Sequence, residues 1–147
     1  MSAQDPTSTH DSVTAMAAAY AGKAVETARA MSAQLDYSEN SIVELETLLE
    51  RLAAEMPGSH SAADDLTEAC KVWGCYLGEV VRRSFGGEWS VETYPGKQFA
   101  TLTLTVKGSK LFPSIKVHRR LTEGEQDNVW TFFKMVKARL EAAPKVQ

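Results

Sequence analysis

Few residues in this chain have the type and spacing that chemistry requires. His10, His60 and His118 are its three histidines, and Cys70 and Cys75 its two cysteines. Metal sites draw on Cys, His or carboxylate ligands at short, repeated spacings, such as two or three intervening residues. None of the three histidines has such a neighbour, so no metal is expected. Cys70 falls on the apolar side of its segment and reads as a small core residue. Cys75 reads as better exposed, yet it lacks a sequence-local base to make it a nucleophile. No phosphate-cradling glycine loop, dinucleotide fingerprint or nucleophile elbow is present. Gly86-Gly87 follows a helical segment instead of preceding one, so it reads as a helix stop. Carboxylates are frequent in the first half, but no pair has the apolar surroundings that raise a pKa for acid–base work. They read as a solvated acidic face. No catalytic residue, metal ligand or cofactor is expected.

The constellation that does stand out is basic and aromatic. Arg82, Arg83, Lys116, His118, Arg119 and Arg120 come from two segments, with Trp89 and Tyr94 near the first. If these segments converge, they form a cationic patch with stacking surfaces, suited to an acidic protein or a phosphate backbone. The competing reading pairs the arginines with the chain's own acidic helices. Charge distribution allows either. Residues 1–70 hold 12 Asp/Glu against 3 Lys/Arg, a net −9, and residues 71–147 hold 13 Lys/Arg against 7 Asp/Glu, a net +6. An acidic helical half could complement a basic sheet half within one fold, or the basic half could face a partner.

The elements that must position these residues follow from periodicity. A chain of 147 residues is the size of one domain, and its 44% hydrophobic content is that of a globular protein. One domain is expected over residues 11–142, with residues 1–10 and 143–147 as flexible ends. From about Asp11 to Leu35, Val13, Met16, Tyr20, Ala24, Ala28, Met31 and Leu35 recur at three- and four-residue steps, the mark of a helix face. Its alanine-rich stripe can lie close against a neighbour, or serve as a swapped arm through which a homodimer forms. A second helix carries Ile42, Leu45, Leu48, Leu49 and Leu52, opened by a Ser41/Glu44 capping box or by Ser38 one turn earlier. Met56-Pro57-Gly58-Ser59 stops it. The third opens at Ser61 or Ala62 and buries Leu66, Cys70, Trp73, Leu77, Val80 and Val81, leaving Lys71, Cys75, Glu79, Arg82 and Arg83 toward other faces. Gly74 and Gly78 sit inside it at up to roughly 1 kcal/mol each relative to alanine. Such a pair suits a place where another backbone or a flat ring comes close.

Strand character follows. Trp89, Val91 and Thr93 alternate with Glu88, Ser90 and Glu92. Tyr94-Pro95-Gly96-Lys97 is a type II turn. Ala100, Leu102, Leu104 and Val106 then alternate with Phe99, Thr101, Thr103 and Thr105, so the first set should face the helices and the second should face away. Lys107-Gly108-Ser109-Lys110 closes a second hairpin onto a short strand near Lys110–Phe112. Residues 113–121 read either as a strand or as a short helix begun by Pro113 with Val117 and Leu121 on one face; the helix is favoured. A final helix runs from about Glu125 to Glu141 on Val129, Phe132, Phe133, Val136 and Leu140. The fold class is therefore α+β: N-terminal helices, a three-stranded antiparallel meander, and a C-terminal helix packed on the sheet.

No basic, apolar leader is visible in Met1 to Asp11, and the longest apolar run, Met16 to Ala21, is far too short to span a bilayer. Cys70 and Cys75 are about 140° apart on a helix, too far to bridge, so both should be free thiols in a reducing, cytoplasmic setting.

Several stretches together resemble a group of small bacterial α+β domains of unknown function. They are Leu35-Asp36-Tyr37-Ser38 with Ser41-Ile42 and Leu45-Glu46, then Tyr76-Leu77-Gly78-Glu79-Val80-Val81-Arg82-Arg83, then Gly86-Gly87-Glu88-Trp89, and finally Pro113 with Lys116-Val117 and Arg119-Arg120-Leu121. The likeness covers roughly residues 35–140 and leaves the first helix outside it. It implies a helix leading through a glycine turn into a short antiparallel sheet, and then a last helix. It carries no assigned chemistry, and implies a non-enzymatic protein, with some members as protective partners of toxins. The expectation is a cytoplasmic protein that binds another protein, in an immunity-like or adaptor role, with no membrane and no nucleic acid as partner. The alternatives are a small enzyme whose pocket is assembled from distant residues, or a weak nucleic-acid-binding module using the basic patch.

Overall fold

A computed structural model describes residues 6–55 and 63–142. Helix α1 (Pro6–Ala30) is followed by α2 (Ser41–Glu55), α3 (Ala63–Phe85), strands β1 (Glu88–Thr93), β2 (Ala100–Val106) and β3 (Ser109–Leu111), then α4 (Pro113–Glu123) and, after a single 3-10 turn, α5 (Val129–Ala142). The strands form one antiparallel sheet in the order β1-β2-β3. The class is α+β, as the patterning indicates. No helix among the described residues is long and apolar enough to cross a membrane. The stop at Met56 to Ser59, the opening of α3 at Ser61 or Ala62, and His60 lie outside the described residues.

Helix α3 is the axis of the molecule. Every residue from Val72 to Val81 is buried, because α1, α2, α4 and β2 all pack around it. A helix covered on all sides has no free face, which corrects two expectations at once. Cys75 has 0% exposure and Glu79 1%. Both cysteines are free, and burial pushes each thiol up to about 12. The glycine pair is explained by close approach. A Cβ on Gly74 would stand 2.7 Å from Ser114 Cα, and one on Gly78 would run into the Trp89 ring. One glycine admits the start of α4 and the other admits a flat aromatic.

Helix α1 presents Ala17, Ala21, Ala24 and Ala28, all fully buried, and it packs on α3. It starts earlier than Asp11 and ends at Ala30, with Ser32 in the left-handed region (φ 64°) turning the chain toward α2. Met16, expected on the inner stripe, is 39% exposed. At the start of α2 it is Ser38 that caps: its Oγ accepts the Ser41 amide at 3.2 Å, three residues on, as an N-cap does. Ser41 instead turns inward, donating to the Ser38 carbonyl and sharing a 2.6 Å hydrogen bond with the Tyr76 hydroxyl.

The sheet turns as its sequence requires. Lys97 N donates to Tyr94 O across a turn with Gly96 at φ 78°. Lys107 (φ 50°) and Gly108 (φ 82°) make the second hairpin a two-residue turn with both φ positive, the twist that suits adjacent strands. Leu102, Leu104 and Val106 are buried against the helices. Ala100 shares their face but is exposed. Thr103 is the correction on the other face, at 0% exposure. Glu92 lies beside Thr101 on β1 and Lys110 beside Thr105 on β3. The ion pair joining Glu92 to Lys110 therefore crosses the central strand diagonally over the short Thr103 side chain.

Residues 113–123 are helical, and Pro113, Val117, Arg120 and Leu121 form the buried stripe of α4. Helix α4 lies against β2 and α3, whereas α5 packs on α2. The last helix begins later than Glu125. Asn128 interrupts it, accepting the Trp130 and Thr131 amides on its Oδ1 at 2.8 and 3.0 Å.

Candidate functional site

The basic and aromatic residues do not converge into one patch. Arg82 forms a fork with buried Glu79, Nε to Oε2 at 2.7 Å and Nη2 to Oε1 at 3.0 Å. Trp89 Nε1 donates to the same Oε2 at 2.7 Å, and Arg83 lies 3.6 Å from Oε1 while stacking over the Tyr37 ring. Burial by itself would raise the Glu79 carboxyl. The hydrogen bonds from Arg82 and Trp89 and the two guanidinium charges outweigh it and hold the group below its ordinary value of 4.5. Trp89 is 1% exposed, so it is no stacking surface. It is the lid of a buried carboxylate, positioned by the Gly78 gap.

Arg120 is the second correction. At 3% exposure it joins α4 to α2, with Nε 2.8 Å and Nη2 2.7 Å from Glu46 Oε2. The other oxygen of Glu46 accepts the Val129 amide at 3.0 Å, which satisfies an otherwise orphaned donor in the first turn of α5. Glu46 therefore belongs to no solvated acidic face. One carboxylate ties three helices together. Lys116 is likewise consumed, 3.0 Å from Asp127. The arginines and the acidic residues do complement each other inside the fold.

Tyr94, His118 and Arg119 remain outside these clusters. Arg119 Nη2 donates to the Tyr94 hydroxyl at 3.2 Å. Tyr94 in turn stacks on Phe99, ring centroids 5.6 Å apart, and meets Phe112 edge-on. His118 is exposed and borders a cavity of about 510 Å³. That cavity is an open groove. Val91, Phe99, Ala100 and Leu102 line it from the sheet side. Met16 of α1, Cys70 and Lys71 of α3, and Ser114, Ile115 and His118 of α4 form its sides. Met16 (39%), Val91 (51%) and Phe99 (47%) are three of the five large apolar side chains exposed among the described residues. Their gathering in one place distinguishes this face, since scattered exposed apolar residues mean little and clustered ones mark contact sites.

The groove's electrostatics are simple. None of its lining residues is a carboxylate. Lys71 is exposed and forms none of the ion pairs found among the described residues. Cys70, on the wall, is held as a protonated thiol. Among the described residues no group of three or more His, Cys, Asp or Glu is placed to hold a metal ion. An arrangement of this kind can bind apolar groups and anions.

Patterning marks His118 alone of the groove residues as a candidate, and misses the rest. Ala100 and Val91 belong to the inward set of the sheet, and only the missing cover over that end of the face makes them a surface. Comparisons with protein families, with curated proteins and with solved structures find no match to this chain.

Proposed function

We propose that this protein acts without catalysis, by binding another protein through the groove between the sheet and helices α1, α3 and α4. The observation that carries the reading is the clustering of exposed Met16, Val91 and Phe99 on one concave face. A rim of polar side chains around such an apolar patch is the usual anatomy of a protein contact. Binding is favoured over a small enzyme because the groove wall offers a protonated thiol, a lysine and an imidazole but no carboxylate to orient them. Protein is favoured over nucleic acid because Arg82, Arg83 and Arg120 are already paired with carboxylates of this chain, which takes them away from a phosphate track. The specific form is a toxin-neutralising or adaptor role in a bacterial cytoplasm, which the resemblance of the Tyr76–Trp89 region supports.

The test is affinity capture in host extract with two baits, wild type and Val91→Glu. Val91 is half exposed, so its replacement leaves the fold in place. The expected result is a single stoichiometric protein retained by the wild type and lost with Val91→Glu. Equal capture by both baits, or no co-purifying chain, would overturn the reading.

A further inference from the structure

Resting on that reading, we infer that the partner reaches the groove with an acidic, apolar-anchored segment: one or two large apolar side chains seated on Val91, Ala100 and Leu102, with flanking carboxylates meeting Lys71, His118 and Arg119. Charge complementarity carries this step. Several cations elsewhere in the molecule are satisfied internally: Lys23, Lys110, Lys116, Arg120 and Lys137 each face a carboxylate of this chain. No residue lining the groove is a carboxylate; Lys71 of α3 and the His118 imidazole of α4 both line it, and neither forms an ion pair among the described residues. Among the described residues Arg119 reaches the Tyr94 hydroxyl and no carboxylate, and the Tyr94 ring stacks on Phe99 of the groove.

The sheet side of the groove is largely apolar, formed by Val91, Phe99, Ala100 and Leu102. A cavity of about 510 Å³ accepts a few side chains and is too small for a whole globular surface. An acidic entering segment therefore gains apolar burial on the sheet side and opposite charge at Lys71 and Arg119. A basic segment would gain the first and be repelled by the second, so the rim sets specificity against it.

The probe is a random dodecapeptide display library selected on the full-length chain, with enriched sequences remade as free peptides and their affinities measured. Enriched peptides are expected to place Leu, Ile, Phe, Met or Trp beside Asp or Glu. Their affinity should fall roughly tenfold with Lys71→Glu, fall less with Lys71→Gln, and weaken as salt is raised. Exchanging the peptide's acidic residue for Lys should restore binding to the Lys71→Glu protein. Enrichment of neutral or basic peptides that still lose affinity to Val91→Glu would overturn the acidic chemistry and leave the groove as the docking site. No enrichment, or peptides indifferent to Val91→Glu, would overturn the groove itself. A dimer in sedimentation that Val91→Glu dissolves would give the groove to a second copy, and a fatty acid released on denaturation would give it to a small amphiphile; either overturns the inference.

Discussion

Two regions of this protein use charge in opposite ways. Around Glu79 and Glu46 the carboxylates are buried, every oxygen has a donor, and arginine or tryptophan side chains close over them. Around the groove Lys71 and Arg119 form no ion pair among the described residues, and Met16, Val91 and Phe99 are left partly uncovered. The first region is complete as it stands, and no buried side-chain polar atom among the described residues lacks a hydrogen-bond partner. The second offers what a partner would use. Motif-like residues such as Tyr76, Gly78, Glu79, Trp89 and Arg120 therefore hold the fold together, and less conspicuous ones, Val91, Phe99, Ala100 and Lys71, form the exposed surface.

The largest stability losses are expected in the first region. Trp89→Ala removes a fully buried ring and strips Glu79 of a hydrogen bond, and about 3–5 kcal/mol is expected, read as a lower denaturation midpoint in urea. Trp89→Phe should recover most of the packing but not the hydrogen bond. Equal losses for the two would show that the Glu79 contact, and not the ring, dominates. Arg120→Ala comes next, at about 3 kcal/mol, because it leaves Glu46 charged, buried and without its cation. Glu46→Ala should cost at least as much, since the Val129 amide loses its acceptor too. A change at Arg120 of under about 0.5 kcal/mol, the usual size for a surface site, would place that residue with the groove cations instead.

These residues also mark where sequence patterning stopped being informative. The period-2 run Ala100–Val106, the Pro95-Gly96 turn and the Gly74/Gly78 pair were legible because each is a local constraint with a local signature. The burial of Glu46, Glu79 and Arg120 was written more faintly. Arg120 sits on the stripe of Pro113, Val117 and Leu121, and Glu46 on that of Ile42, Leu45 and Leu49. A charged residue on an apolar stripe suggests a partner elsewhere, and two such residues of opposite sign suggest each other. Thr103 had no such signal, since its cover comes from a bridge between two other strands. The groove had none either. It exists because four segments distant in sequence leave one end of a sheet face open, and no single stretch records a gap.

A pH titration sharpens the comparison at smaller amplitude. The folded-state pKa of Glu79 is depressed, so its contribution is fully present above the ordinary carboxylate value of 4.5 and is lost as pH falls through the lower folded value. Thermal denaturation followed from pH 7 downward should show the wild type losing stability below about 4.5 more steeply than Glu79→Gln. Parallel curves would mean that the carboxylate is not the acid-sensitive element of this region.

The smallest effect is expected at the groove, and it is the one that separates binding from folding. Lys71 is exposed and Val91 is 51% exposed, and surface substitutions away from caps and buried networks usually change stability by less than about 0.5 kcal/mol. Lys71→Glu and Val91→Glu should therefore unfold at nearly the wild-type urea concentration, with an unchanged slope. Val91 pairs with Leu102 across the β1–β2 ladder, but that ladder is held by backbone groups that the substitution does not touch. A half-exposed apolar side chain contributes little to the native state, so replacing it with a charge has little to remove. Were either variant to lose more than about 1 kcal/mol, the side chain would be acting as part of the core, well beyond a surface effect, and the groove would be a fault in packing instead of a surface kept open for a partner.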